Sequence, residues 1–394
     1  MPPLPDLEPE LAQLAARDRL RSLSPLTGKS RHHSLHADQP VLAFCSNDYL
    51  GLADHPAVTG AAARAAELFG AGAGASRLIS GSMPAHGELE TALAALVRLP
   101  AALLFSTGYQ ANLGAIASLA GPEDLIASDQ ANHASIIDGG RLARARIAIY
   151  RHADADAALA ALRTSGSFRR RFLITESLFS MDGDRAPLGA LAAHARSQAA
   201  TLIVDEAHAL GVLGPRGRGL CQQAGIVPDV LVGTLGKAFG SFGGFIAGSV
   251  VLREYLVNRA RTFIYTTAPP PPSVAAALAG VHLALSPEGD RRREQLTSNL
   301  ARLHIALAAL SRPLVPSETQ AFDDGPNPIV PIPLGSDKRA VEVGAALLAR
   351  GVFARAIRPP TVPEGTARLR VTLSAGHSPA DVDHLSSALQ AILA

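Results

Sequence analysis

Leu202-Ile-Val-Asp-Glu-Ala-His208 and Val232-Gly-Thr-Leu-Gly-Lys-Ala-Phe-Gly240 decide how this chain folds. Each is an apolar run that stops at a polar residue. That pattern predicts a buried strand delivering a functional group at its C-terminal end. The groups delivered are Asp205 and His208 from the first segment and Lys237 from the second. The interval between Asp205 and Lys237 leaves room for a loop and one more strand.

Outward from these segments, helical and extended stretches alternate from about residue 55 to 290. Strands are expected at Leu103–Ser106, Asp124–Ser128, Arg146–Tyr150, Arg171–Thr175, Thr201–Val204, Val230–Thr234 and Gly243–Ala247, with helices such as His86–Val97 and Leu188–Ala199 between most of them. This alternation predicts an α/β fold, a mostly parallel seven-stranded sheet flanked by helices. Gly243–Ala247 follows the preceding strand too closely for a helical crossover.

The ends of the chain read differently. Leu7, Leu11, Leu14 and Ala15 have helical spacing. The polar stretch Thr27–Gln39, with His32, His33 and His36, is expected to be a mobile surface loop, because no carboxylate or Cys neighbours complete a metal site. Beyond about 290 a long helix (Asp290–Leu310) precedes Ile329–Leu334, a helix (Lys338–Arg350), strands near Val352–Arg358 and Arg368–Ser374, and a last helix (Pro379–Leu393). Pro313, Pro316, Pro326 and Pro328 mark the connecting loop. The expected division is an N-terminal helix and strand segment (1–54), a large α/β domain (55–290) and a smaller α+β domain (291–394).

With 394 residues, 47% hydrophobic and 18% charged, the chain fits a globular enzyme and not wholesale disorder. A net charge of +2 gives no reason to expect a nucleic-acid partner. Arg169–Arg171 and Arg291–Arg293 are expected as solvated helix ends; attraction of an anionic substrate is the weaker reading. Cys45 and Cys221 show no C-x-x-C spacing, which favours a reduced, cytoplasmic compartment. The prolines and acids of the first ten residues do not suit a secretory signal. The uncharged stretch 262–287 contains Pro269 to Pro272, and 238–252 is short and glycine-rich, so no membrane span is expected.

An Asp, a His and a Lys delivered by adjacent strands are what pyridoxal phosphate chemistry asks of a protein. The lysine amine joins the cofactor aldehyde. The Asp faces the pyridine nitrogen and keeps it protonated, so that the ring accepts electrons. Other motifs fail. Phe69–Ser76 lacks the G-x-G-x-x-G spacing. Gly236-Lys237-Ala238 lacks the Ser or Thr and the upstream Gly of a phosphate loop. No H-E-x-x-H or G-x-S-x-G occurs, and no metal site is expected.

The ordered set Ser46–Leu52, Ser106–Asn112, His133-Ala-Ser135, Thr175–Asp184, Val204–His208 and Gly233–Gly240 resembles the α-oxoamine synthases, within the fold type I pyridoxal phosphate enzymes. The resemblance covers nearly the whole chain. It implies a homodimer with active sites at the subunit interface, and a decarboxylating condensation of an amino acid with an acyl thioester. Ala356–Arg370 resembles the branch that takes L-alanine and a pimeloyl thioester, carried on coenzyme A or on an acyl carrier protein.

Roles follow from that resemblance. Lys237 holds the cofactor and, as a desolvated amine, takes the alanine Cα proton. Asp205 pairs with the pyridinium, His133 stacks on the ring and His208 bonds its phenolic oxygen. Gly108 and Tyr109 offer backbone N–H groups to the phosphate at a helix start. Thr234 adds a hydroxyl, and Thr266 and Thr267 reach the other subunit's phosphate. Glu176 and Ser180 lie near the ring, Ser180 being the better match for a contact. Arg370 clamps the amino-acid carboxylate, with Asn47 and Arg21 in support, and Arg358 faces the acyl chain or its carboxylate.

Gly74–Ser80 and Gly240–Gly244 resemble segments of branches that use glycine or serine, so 2-amino-3-ketobutyrate ligase, 5-aminolevulinate synthase and serine palmitoyltransferase stay open as rivals. An aminotransferase is a more distant one. A catalytically inactive partner subunit is disfavoured by the presence of Lys237, Asp205, His133 and His208.

Overall fold

The computed structural model describes residues 7–28, 30, 32–308 and 327–393. Pro313, Pro316, Pro326 and the last two residues of the expected helix Asp290–Leu310 lie outside them. Strands run in chain order as β1 (His33–His36), β2 (Gln39–Ala43), β3 (Ala101–Phe105), β4 (Leu125–Asp129), β5 (Arg146–Tyr150), β6 (Arg171–Glu176), β7 (Thr201–Asp205), β8 (Val230–Thr234), β9 (Gly244–Gly248), β10 (Ile329–Gly335), β11 (Val352–Phe353), β12 (Ala356–Ile357) and β13 (Ala367–Thr372).

The chain packs into two units, residues 50–180 with 184–294, and residues 1–49 with 181–183 and 295–394. In the larger unit seven strands form one sheet in the order β3-β9-β8-β7-β6-β4-β5. The run from β8 to β5 is parallel; β9 lies antiparallel to both β8 and β3. β4, β8 and β9 are buried at every position, and β6 and β7 at all but the first. Near-continuous apolar strands are what a sheet covered on both faces requires. Phe105, Ile116, Ile126, Phe172, Ile203, Val232 and Phe263 pack in one core on this sheet. The order places the C-terminal ends of β4, β6, β7 and β8 along one edge, where open α/β sheets bind their ligands.

The smaller unit holds two three-stranded sheets, β1-β2-β11 and β10-β13-β12. The expected loop at Thr27–Gln39 is instead largely ordered by the hairpin β1–β2, in which Ser34 pairs with Val41. His32, at its start, is buried and meets His377 edge-on at 5.0 Å. Polar side chains concealed the strand because the ladder uses only backbone groups. The single strand expected near Val352–Arg358 is two short ones: β11 pairs with β2, and β12 with β13. Helix Leu7–Ala16 forms but buries none of its residues.

The arginine clusters also differ from expectation. Arg169 and Arg170, just ahead of β6, both reach the buried Asp124 immediately before β4. Arg292 pairs with Glu288 and donates to Leu50 O at 2.8 Å, while Arg293 pairs with Asp290. Carboxylates three to four residues away on the helix, or at the next strand, collected these cations. Among the described residues no helix is long and apolar enough to cross a membrane, and no cluster of His, Cys, Asp and Glu is arranged to hold a metal.

Candidate active site

Four parallel strands end in Asp129, Glu176, Asp205 and Thr234. Asp205 is 7% exposed. Its Oδ2 accepts from Asn112 Nδ2 at 2.7 Å and its Oδ1 from the Ala207 amide at 2.8 Å. These donors hold a carboxylate at the strand end that would otherwise be costly to bury.

Asn112 has a second hydrogen, given to Ser135 Oγ at 2.9 Å. Ser135 Oγ in turn lies 2.8 Å from His133 Nδ1, and the Ser135 amide donates to the same nitrogen at 3.2 Å. With two donors on Nδ1, a neutral ring carries its proton on Nε2. The same contact caps helix Ala134–Ala143 at its N-terminus. Asn112 therefore links the Asp205 carboxylate to the orientation of His133. Sequence reading places Asn112 inside a motif and assigns it nothing. The available signal was an Asn at a buried position among apolar neighbours, which demands partners.

Lys237 follows β8, and its Nζ lies 2.6 Å from Nε2 of the buried His208. An ammonium only donates, so a charged Lys237 puts a lone pair on that nitrogen. Asp205 and Lys237 both act electrostatically on His133 and on Glu176, which gathers these groups into one cluster. Loss of hydration lowers the His133 pKa; Asp205 opposes that shift and Lys237 adds to it. His133 is nevertheless exposed on its open side. Glu176 accepts the His133 amide at 2.7 Å. Burial lifts its carboxyl to about 8, with Asp205 adding and Lys237 opposing.

Helix Gly108–Leu119 starts beside this cluster. Thr107 caps it, its Oγ1 accepting from Gln110 N at 3.1 Å. First-turn amides lack intrahelical acceptors and suit an anion. An ideal Cβ on Gly108 would stand 3.4 Å from Thr234 Cβ, so the two border each other. Thr234 Oγ1 donates to Gly243 O at 3.0 Å and accepts from Gly236 N at 3.3 Å. Its donation to a phosphate would require that proton to leave Gly243. Tyr109 is half open, edge-on to His133 at 6.2 Å, and donates to Asp138. Ser180 is buried in the hairpin Ser177–Ala186. Thr267 is exposed and Thr266 half-buried; Thr267 bridges Ser76, and Ala268 N donates to Ala75 O at 3.0 Å.

The smaller unit holds the other four expected residues in two pairs. Arg370, on β13 and 7% exposed, donates to Asn47 Oδ1 at 3.1 Å and to Tyr49 Oη at 3.3 Å. Tyr49 closes the triangle, donating to Asn47 Oδ1 at 3.2 Å. Burial raises the Tyr49 pKa and Arg370 opposes the rise. Arg21 donates to Pro359 O at 2.9 Å, and Arg358 donates to Asp18 O. Burial pushes the Arg358 pKa down, with Arg21 adding to the effect. Arg358, Arg355, Ser22 and Phe353 line a cleft of about 250 Å³.

The larger unit's cluster fits pyridoxal phosphate. A primary amine, a buried carboxylate, a partly exposed imidazole and a helix start bordered by a glycine are the groups it needs. A cleft of about 530 Å³ is lined by Phe172, Thr201 and Val230, at the opposite ends of the strands.

Comparison with known proteins agrees with this fold. The family model for aminotransferase class I and II matches residues 39–389. An 8-amino-7-oxononanoate synthase of Alkalilimnicola ehrlichii is 49% identical over 387 residues, covering 97% of this chain and 96% of that protein. A solved serine palmitoyltransferase of S. paucimobilis, with a bound PLP–myriocin adduct, superposes with a TM-score of 0.91 at 31% identity, covering 98% of each chain. A solved 8-amino-7-oxononanoate synthase of Francisella tularensis gives a TM-score of 0.73 at 28% identity, covering 89% of this chain and 96% of that one.

Proposed function

The chain belongs to the family of 8-amino-7-oxononanoate synthases, pyridoxal-phosphate-dependent α-oxoamine synthases of fold type I, and from that premise we propose that it condenses L-alanine with a pimeloyl thioester. The products are 8-amino-7-oxononanoate, CO2 and the free thiol, a step of biotin synthesis. The observation that carries this reading is the contact of Lys237 Nζ with His208 Nε2 at 2.6 Å beside the buried Asp205, in a chain so similar to enzymes of that name.

When bound, the cofactor supplies an electron-accepting ring next to the reacting Cα. The residues supply the rest. Lys237 would hold the cofactor's aldehyde carbon covalently, and its Nζ would be the base that takes the Cα proton. His208, in contact with that nitrogen, keeps it oriented and would bond the cofactor's phenolic oxygen. Asp205, fixed by Asn112 and the Ala207 amide, keeps a proton on the ring nitrogen. His133, held by Ser135, would stack on the cofactor ring. Gly108, Tyr109 and Thr234 take the phosphate, Ser180 contributes a hydroxyl, and Thr266 and Thr267 serve the phosphate of a second subunit. Arg370 pairs with the alanine carboxylate, supported by Asn47, which orients the bond to be broken. Arg21 and Arg358 face the acyl group or its distal carboxylate. The protein works as a cytoplasmic homodimer, and the acyl carrier is coenzyme A or an acyl carrier protein.

Serine is the rival amino acid, favoured by the higher structural likeness to serine palmitoyltransferase. Titration of the cofactor-loaded protein with L-alanine, glycine and L-serine, followed by visible absorbance with and without pimeloyl-coenzyme A, separates the readings. A response to alanine that evolves further only with the thioester is expected. A response to serine or glycine, indifferent to that thioester, moves the enzyme to another branch.

A further inference from the structure

His152 lies in the turn after β5, outside every role assigned above. Its Nδ1 is 2.8 Å from Asp129 Oδ1 and its Nε2 2.6 Å from Asp184 Oδ2. A neutral imidazole has one N–H. It would leave one carboxylate facing a ring lone pair, and the Asp129 side chain is only 1% exposed. An imidazolium that donates to both satisfies the pair with two charge-assisted bonds. Burial works against that charge; the bonds to Asp129 and Asp184 outweigh it and raise the imidazole to about 10.

The two carboxylates belong to separate segments that each carry a site residue. Asp129 ends β4 and also accepts from Ala131 N at 2.8 Å and from Ala153 N at 2.9 Å. The first of those bonds shapes the turn into Asn132 and His133, and the second ties it to the segment that carries His152. Asp184 closes the hairpin that contains Ser180, its carbonyl accepting from Phe179 N at 2.9 Å. The Phe179 ring stands edge-on to the His152 ring, centroids 4.3 Å apart. One side chain thereby bonds both segments.

We infer that His152 is a positioning residue: by donating to Asp129 and Asp184 at once, it fixes the spacing between the turn that carries His133 and the hairpin that carries Ser180. The inference rests on the reading of His133 and Ser180 as cofactor contacts. His152 acts through those residues and does not touch the reacting atoms.

The test compares wild type with H152A, H152Q and D184N, all loaded with pyridoxal phosphate. Three quantities are read: visible circular dichroism of the bound cofactor, its rate of loss on dilution, and kcat against KM for L-alanine. The glutamine of H152Q donates from one nitrogen only and breaks the bridge. The amide of D184N donates to Nε2 of a neutral His152 ring whose Nδ1–H still serves Asp129, so this variant preserves the bridge. H152A and H152Q are expected to lose cofactor on the order of tenfold faster, to alter the dichroism and to lower kcat with little change in KM. D184N is expected to stay within about threefold of wild type. If H152A does not fold, H152Q, which retains one bond, carries the comparison. Variants that melt earlier yet keep wild-type dichroism, cofactor retention and kcat overturn the inference and leave His152 a stability residue. A wild type that takes up no cofactor overturns the functional reading and this inference with it; a loaded wild type with indifferent variants overturns this inference alone.

Discussion

At the scale of single residues, the cluster is built by partners more than by the reactive groups themselves. Lys237 has His208 at 2.6 Å, and Asp205 has Asn112 at 2.7 Å. Lys237→Ala removes the amine of this arrangement. We expect no covalent cofactor, checked by borohydride reduction and mass measurement, and no turnover; normal turnover would discard the mechanism. Arg370 is buried with Asn47 and Tyr49 around its guanidinium. Arg370→Ala should weaken alanine binding by about 2–5 kcal/mol, the range for truncating one partner of a buried charge pair. A steady-state KM for alanine equal to wild type removes Arg370 from the substrate site. Lys237 was legible in the sequence because it follows directly on an apolar run, whereas Arg370 is singled out by the resemblance of Ala356–Arg370 to a family segment. Asn112, Ser135 and His152 were not, because their importance lies in what they touch.

At the scale of elements, β9 shows how backbone approach shapes the site. It is the antiparallel strand between β3 and β8, and its first residue, Gly244, packs on the start of helix Gly108–Leu119. A Cβ there would lie 2.4 Å from Gly108 N and 2.5 Å from Thr107 O, all backbone atoms that cannot swing aside. Gly244→Ala should therefore push the helix start away from Thr234. We expect a loss of about 1–3 kcal/mol in stability, typical of overpacking, and weaker retention of pyridoxal phosphate in a dilution assay. Wild-type retention would mean that Gly108 and Tyr109 do not hold the phosphate. All seven strands of this sheet were readable to within about two residues, a margin typical of element ends, because six are buried, near-continuous apolar runs and β5, though largely exposed, is apolar after its first residue. The hairpin β1–β2 and the sheet switch between β11 and β12 were not, since polar or two-residue strands carry no such run.

At the scale of the whole molecule, several buried groups make stability depend on pH. Burial raises Glu206 to about 7 and Glu176 to about 8. Each acid's contribution is fully present below its unfolded value, 4.5, and is lost as pH rises through the folded value. His152, raised to about 10, likewise loses its contribution as pH rises from 6.5. His377, lowered to about 3 chiefly by burial, acts oppositely: its contribution holds above 6.5 and fades as pH falls towards 3. We expect the melting temperature to drop from about pH 4.5 to about pH 10, the window those shifts define, with His377 offsetting part of the drop below 6.5. Glu206→Gln should shrink the part of that drop between about pH 4.5 and 7, because a neutral amide has no charge to bury while its oxygen still accepts from Cys221 N, 2.8 Å away in the parent chain. An equal drop in the variant would mean that Glu206 is not neutral when folded.

The sequence alone determined the α/β class, the seven strands and the chemistry offered at Asp205, His208 and Lys237. These follow from local rules: apolar periodicity sets strand and helix, and a polar residue at the end of a buried strand is exposed to a ligand. Tertiary structure decided the rest. It aligned the ends of β4, β6, β7 and β8, tied Asp205 to His133 through Asn112 and Ser135, and set His152 between Asp129 and Asp184. The physical reason is range. A hydrogen bond depends on atoms within about 3 Å in space, and Asn112 and Asp205 are far apart along the chain, so only the folded sheet brings them together.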